Sequence, residues 1–337
     1  MSTQAKTVSA STGSEAAAGD ETIAQAVSQG ITMVIPTRNR AHTLRLVAPS
    51  WYEQEGVRQI IFVSDEGTDE TPLLVHGLAS RYPHVHTLLL RNTQRLGASR
   101  SRNVGVEHAD HEFVLFCDDD EYLQAGYART CLDKLLALRA GAVSGRRVYM
   151  QSGETREQAL ARFGSGMRRG AAFRPLLCEY VNGAIFRGDL EMPFTNAIIL
   201  TRRSLLQRYP FDGYYARGNG YREETDYQMN LFVNGHRIFV TNEVHSLHLP
   251  LNEVRTGGQR TQAFKRMYWS VHYTRYFFGK YWTAYARRQG LRTPRWAALA
   301  AFTAFAVYRE TLRPPAYQLA MWGLGLRARL RTQASLG

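Results

Sequence analysis

The stretch Phe113-Val-Leu-Phe-Cys-Asp-Asp-Asp120 sets the tightest limits on what this chain can fold into. Phe113 to Cys117 is an unbroken apolar run of strand length. That is the pattern of a strand buried on both faces, found mostly in parallel sheets. The run stops at three consecutive carboxylates, Asp118, Asp119 and Asp120. Like charges crowded together repel unless a cation is shared among them. Mg²⁺ and Mn²⁺ take oxygen ligands, commonly one or two carboxylates plus substrate phosphates. Ligands of open α/β sheets bind beyond the carboxyl ends of the strands. The stretch therefore reads as a divalent-metal and phosphate site at the end of a central strand. A solvated acidic turn is the competing reading, since Asp favours turns.

The preceding residues supply the rest of such a sheet. Ile31 to Pro36, Gln59 to Val63 and Val85 to Leu90 read as strands, and Thr43 to Gln54 and Thr71 to Arg81 as helices. A basic helix, Arg95 to Gly105, leads into the strand at Phe113. Strand and helix alternate, which predicts an α/β fold with a mostly parallel central sheet. Arg38, Asp65 and Asp118 to Asp120 then fall along one edge, where nucleotides sit in such sheets. No Gly-x-Gly-x-x-Gly follows the first strand and no Gly-Lys-Ser/Thr loop occurs, which disfavours dinucleotide and Walker-type sites. Beyond the acidic triplet, Tyr127 to Leu138 reads as a helix and Ala142 to Tyr149 as a strand. Gln151 to Tyr180 reads as a variable loop or short helices over the site, and Met192 to Leu200 leads into a further strand.

Three motifs in this order resemble those of family 2 glycosyltransferases with the GT-A fold, a nucleotide-diphosphate-sugar-binding fold. Val63-Ser-Asp-Glu-Gly-Thr-Asp69 is similar to the family's Val-Asp-Asp-Gly-Ser-Thr-Asp loop, with Ser64 in place of its first Asp. Ala98-Ser-Arg-Ser-Arg-Asn-Val-Gly105 is similar to its Ala-x-Ala-Arg-Asn-x-Gly helix, and Asp118-Asp-Asp120 to its Asp-x-Asp metal motif. The resemblance covers residues 31 to about 250 and implies roles by position. Pro36, Thr37 and Arg38 would line base and ribose, and Asp65 would accept from a pyrimidine N–H. Arg102 would lie near base or diphosphate. Asp118 and Asp119 would serve the nucleotide, and Asp120 would bind the metal with Asp118 nearby.

Further along, Gly220-Tyr-Arg-Glu-Glu-Thr-Asp226 opens a helical segment. Acidic residues in a first helical turn are favoured by the dipole alone. The resemblance implies more: the family's Glu-Asp motif aligns with Glu223-Glu224, making Glu224 the general base that inverting transfer needs. Glu223 and Asp226 are its possible substitutes. The family's next segment ends in a histidine, which implies His248 as a metal or diphosphate partner, with His245 as the competitor. An Asn near the position of Asn196 would sit by sugar and acceptor.

At 337 residues the chain can hold one large or two ordinary domains. From Leu251 to Gly337 it carries 15 Lys/Arg against 2 Asp/Glu, a surplus equal to the +13 of the whole chain. That quarter interleaves the basic residues with aromatics from Phe264 to Trp282. Its thirteen uncharged residues, Trp296 to Tyr308, are too few to cross a bilayer, which takes about 20. A packed helical subdomain is the first reading, then contact with an anionic membrane surface, with nucleic acid disfavoured behind both. The first thirty residues read as a flexible tail without a signal-peptide pattern. Cys117, Cys131 and Cys178 have no metal spacing and read as free thiols of a reducing, cytoplasmic setting.

The expectation is thus a tail (1–30), a GT-A catalytic domain (31–250) and a basic helical C-terminal extension (251–337). The expected reaction is metal-dependent inverting transfer, with Mg²⁺ or Mn²⁺. The donor is a nucleotide-diphosphate sugar, UDP-linked first and dTDP- or GDP-linked open. The acceptor is a hydroxyl of a saccharide, a lipid-linked saccharide or a small natural product. A sugar-nucleotide nucleotidyltransferase and a non-catalytic nucleotide or nucleic-acid binder are the alternatives.

Overall fold

The computed structural model describes residues 30–164, 171–182, 184, 186–254 and 262–312. Most of the expected N-terminal tail, and residues 313–337, lie outside the described residues.

Strands and helices alternate as the apolar runs require. β1 (Ile31–Thr37) is followed by α1 (Ala41–Val47) and the one-turn α2 (Pro49–Tyr52). The single helix expected over Thr43 to Gln54 is interrupted at Pro49, which lacks the N–H a continuous helix would use and begins α2 instead. β2 (Val57–Asp65), α3 (Thr71–Arg81), β3 (His86–Asn92), α4 (Ala98–Glu107) and β4 (Phe113–Phe116) complete the first half. Then come β5 (Glu121–Leu123), α5 (Tyr127–Ala137) and β6 (Ala142–Tyr149). The segment expected as a loop or short helices over 151–180 contains the helix α6 (Arg156–Gly164) and, beyond that expectation, a small hairpin of β7 (Phe173–Arg174) and β8 (Glu179–Tyr180). β9 (Asp189–Glu191), β10 (Ile199–Arg202), α7 (Arg203–Arg208) and a 3₁₀ turn, Gly213–Ala216, lead to α8 (Glu223–Val233) and β11 (Ile238–His248). The chain continues through α9 (Leu251–Val254), α10 (Ala263–Arg288), α11 (Arg295–Val307) and a π-helical turn, Tyr308–Leu312.

The main sheet has nine strands in the order β3-β2-β1-β4-β10-β6-β11-β5, with β9 also on β11. β3, β2, β1, β4, β6 and β11 run one way, while β10, β5 and β9 run against them. The sheet is therefore mostly parallel. Alternate residues of each strand face opposite layers. Met33 and Ile35 of β1 and Leu115 of β4 join one core with α1, α2 and α5. Val34, Val114 and Phe116 face the other, with α8, α10 and α11.

That second core explains the aromatic spacing near the C-terminus. Tyr273, Phe277, Phe278, Tyr281, Trp282 and Tyr285 recur at helical intervals along α10 and are all buried. Phe277 to Tyr285 pack into the same cluster as Tyr227 and Met229 of α8. No helix among the described residues is long and apolar enough to cross a membrane. The three cysteines are free and buried.

Candidate active site

The parallel strands deliver their carboxyl ends to one edge. Thr37 ends β1, Asp65 ends β2, the Asp118–Asp120 triplet follows β4, and His248 ends β11 opposite Glu121 of β5 and Tyr149 of β6. α8 then points its first turn, with Glu223 and Glu224, at the same place. It starts after Arg222, a non-glycine residue held in the left-handed region at φ 80°. Such a conformation costs about 1–3 kcal/mol and persists only where the surroundings over-determine it. Here the buried guanidinium donates to the carbonyl of Cys178 (2.6 Å) and lies 4.9 Å from the ring centre of Phe277.

Arg102 of α4 joins these pieces. Its side chain is almost fully buried. Nη1 contacts Glu223, while Nη2 lies 3.0 Å from Asp118 Oδ1 and 3.3 Å from Glu224 Oε1. One cation thus ties the end of β4 to the start of α8. Arg147 of β6 reaches the same carboxylates from the other side, 3.0 Å from Asp118 Oδ2 and in contact with Glu121. Burial opposes ionisation of Asp118, but Arg147 and Arg102 outweigh it and hold that carboxyl below its usual range. Burial wins at Glu223, pushed up to about 8, and it also raises Glu224. A carboxylate raised this way is a better proton acceptor near neutral pH.

The group able to hold a metal is Asp120, Glu121 and His248, whose ligand atoms lie within 4.8 Å of one another. The His248 Nδ1 faces the carbonyl of Leu249 at 2.5 Å. A carbonyl only accepts, so the proton sits on Nδ1 and Nε2 presents its lone pair, 3.7 Å from Asp120. Glu121 is fully buried, with one carboxylate oxygen in contact with Arg147. Burial lifts it to about 8 despite Arg147. Two carboxylates and an imidazole form a donor set that fits a divalent cation such as Mg²⁺ or Mn²⁺.

The other expected residues divide by what they touch. Thr37 donates to Asp119 at 2.8 Å, and Asp119 is raised to about 7 by burial and by Asp120. Pro36 lies in β1 beside Val63, and Arg38 forms an exposed pair with Glu66. Asp65 accepts from Asn92 Nδ2 (3.0 Å) and from the backbone N–H groups of Leu96 (2.7 Å) and Gly97 (2.9 Å). It thereby fixes the turn into α4, with lone pairs to spare for one more donor. Asp226 lies away from the Arg102 cluster, its carboxylate accepting from Tyr215, Tyr281 and Lys280. The Asn196 amide is spent on the Gly145 carbonyl and the Ile198 N–H. His245 bonds Gln124 and is not in the metal group.

Sequence reasoning passed over Glu121, Arg147 and Lys280. Glu121 was hidden in the acidic run it continues. Arg146-Arg147 inside a strand of otherwise small and apolar residues was the available signal for the second. Nothing in the spacing around Lys280 marked it out from the other basic residues of its helix.

A mostly parallel sheet thus gathers a metal-competent group and a raised carboxylate at one edge, a set of groups suited to group transfer. Comparison with known proteins supplies the family. Residues 32–209 match the model of "Glycosyl transferase family 2", and the chain belongs to that family. It is 30% identical over 105 residues to a Campylobacter jejuni GalNAc(5)-diNAcBac-PP-undecaprenol beta-1,3-glucosyltransferase, covering 31% of this chain and 34% of that protein. It is 32% identical over 96 residues to the uncharacterized glycosyltransferase YibD of Escherichia coli, covering 27% and 26%. The chain thus spans about a third or less of the curated relatives it matches. The fold is similar to that of S. aureus TarS 1-349 in complex with UDP-GlcNAc (TM-score 0.54, 14% identity, 83% of this chain and 73% of that one). It is also similar to the mannosyltransferase PcManGT from Pyrobaculum calidifontis in complex with GDP-Man and Mn²⁺ (TM-score 0.53, 18% identity, 96% and 89%). The fold is GT-A.

Proposed function

We infer that the chain is a divalent-metal-dependent, inverting glycosyltransferase that takes its sugar from a nucleoside-diphosphate donor, UDP-linked first, and places it on an acceptor hydroxyl. The observation that carries this reading is the Arg102 bridge, which brings the Asp118 end of β4 against Glu223 and Glu224 of α8. Of the two GT-A neighbours, TarS 1-349 is in complex with UDP-GlcNAc and PcManGT with GDP-Man and Mn²⁺, which keeps GDP open.

Base and ribose lie along Pro36, Thr37, Arg38 and Asp65, with Arg102, Asp118 and Asp119 nearer the diphosphate. Asp120, Glu121 and His248 would hold the metal, which supplies positive charge to the departing diphosphate. Glu224 accepts the proton of the acceptor hydroxyl. The freed oxygen pair attacks the anomeric carbon, the bond from that carbon to the diphosphate oxygen breaks, and its electrons leave with the nucleotide. One displacement inverts the anomeric centre without a covalent enzyme intermediate. The acceptor is a saccharide or lipid-linked hydroxyl. A relative named for transfer to a diphospho-undecaprenol oligosaccharide supports that class.

The test is a screen of UDP-, GDP- and dTDP-sugars against saccharide and lipid-linked acceptors, reading nucleotide release and the product's anomeric configuration. A β-linked product from an α-linked donor is expected. Retention of configuration, or release of pyrophosphate in place of nucleotide, would overturn the assignment.

A further inference from the structure

We propose that the outer face of α10 and α11 docks on the surface of an anionic lipid bilayer. Two grooves lie side by side there. One, of about 700 Å³, runs along α11 between Trp296, Leu299, Ala300, Ala304, Val307 and Tyr308. The other, of about 630 Å³, lies between α10, the start of α11 and the 3₁₀ turn, and includes Tyr214, His272, Arg275, Tyr276 and Arg295. They share Trp296 and Leu299. An apolar trough thus continues directly into an aromatic, cationic one, and among the described residues no carboxylate lines either.

The exposure is what a packed helix would avoid. α11 buries Ala298, Phe302 and Ala306 against the core, yet Trp296 is 74% exposed, Tyr308 48% and Val307 39%. Arg275 and Arg295 make no ion pair among the described residues. A helix of this kind lies in the membrane plane, with its apolar side at the acyl boundary and its cations among lipid phosphates. Thirteen residues span too little to cross.

Charge selects the occupant. A second copy of this chain would bring two faces of the same positive sign together. A nucleic acid would put phosphates along the α11 trough, whose lining among the described residues offers no cation to receive them. An anionic bilayer satisfies both grooves at once. Lys280, which lines the second groove, also pairs with Asp226 of α8 at 2.8 Å, so the docked face belongs to the helix that braces the proposed base.

The experiment is vesicle sedimentation of the full chain without nucleotide or acceptor, so its outcome does not depend on the transfer reaction. The vesicles are phosphatidylcholine alone and phosphatidylcholine with phosphatidylglycerol at about 2:1. Binding is expected on the mixed vesicles, weakening with salt, and absent on phosphatidylcholine. Trp296→Ala with Val307→Asp should lower partitioning by roughly tenfold or more. Arg275→Gln with Arg295→Gln should do the same by removing two headgroup contacts. Both pairs sit on the surface, and unchanged melting temperatures would exclude a folding effect. No binding to mixed vesicles, undiminished binding of both double variants, or a concentration-dependent dimer abolished by Trp296→Ala would each overturn the proposal.

Discussion

The ammonium of Lys280 on α10 lies 2.8 and 2.9 Å from the two carboxylate oxygens of Asp226, two residues beyond Glu224 on α8. It also reaches Asp212 at 2.7 Å, while the hydroxyls of Tyr215 and Tyr281 complete the shell of Asp226. Asp226 is buried, and removing the cation leaves a carboxylate whose desolvation is no longer offset. Because Lys280 is itself partly exposed, the expected loss for Lys280→Met is about 1–3 kcal/mol of stability. Since the pair ties α10 to α8, the helix that carries Glu224, kcat should fall roughly ten- to a hundredfold. Nucleotide affinity by calorimetry should stay near wild type. An unchanged kcat in a destabilised variant would reduce the pair to a structural tie.

Glu224→Gln keeps the shape of the side chain and removes its basicity. It should lower kcat by about 10²–10⁴ while leaving nucleotide binding intact. Glu223→Gln should cost less, because Glu223 faces Arg102 from within the core and its carboxyl is already lifted to about 8. The base must be deprotonated to act, and burial raises Glu224 above its ordinary 4.5. The acid limb of the kcat profile should therefore fall at a pH above that value. A limb at or below it, or full activity in Glu224→Gln, would contradict the assignment.

Gly105 lies where α4 crosses β1 and β2. A Cβ there would stand 2.4 Å from Val34 Cγ1 and 3.3 Å from Val63 Cγ2, inside contact distance. Gly105→Ala should destabilise by about 1–3 kcal/mol through overpacking. The denaturant midpoint should drop with its slope unchanged. The same shift of α4 would move Arg102, so activity should fall further than the remaining folded fraction accounts for.

His245 is held neutral, brought down from 6.5 to about 4 by burial and by Arg146. A lowered histidine favours the fold fully above pH 6.5, where both states are neutral, and that contribution is lost as pH falls toward 4, where the unfolded chain takes up the proton first. His245→Gln should flatten the decline of melting temperature over that window. A decline as steep as that of wild type would locate acid sensitivity elsewhere.

Much of this architecture was legible because its signals are local. The run Phe113 to Cys117 names its own strand, and the alternation of strand-like and helix-like runs before it places the first half of the sheet. The acidic triplet and the first turn of α8 carry their chemistry in consecutive residues. What escaped depends on distant partners. Glu121 becomes a candidate ligand only because β11 lays His248 opposite it. Lys280 matters because α10 packs on α8 from more than fifty residues away. β10 enters antiparallel between β4 and β6, a choice that no strand pattern of its own dictates. The hairpin of β7 and β8 is two residues per strand, below any periodicity.

Calorimetric titration of UDP, GDP and dTDP, each with Mn²⁺ or Mg²⁺ and again with EDTA, tests the account at its centre. It predicts that one nucleotide, UDP first, binds with metal, that EDTA abolishes the heat, and that Asp120→Asn weakens binding while Glu224→Gln does not. Binding of no nucleotide under any of these conditions, or binding indifferent to EDTA and to Asp120, would contradict it.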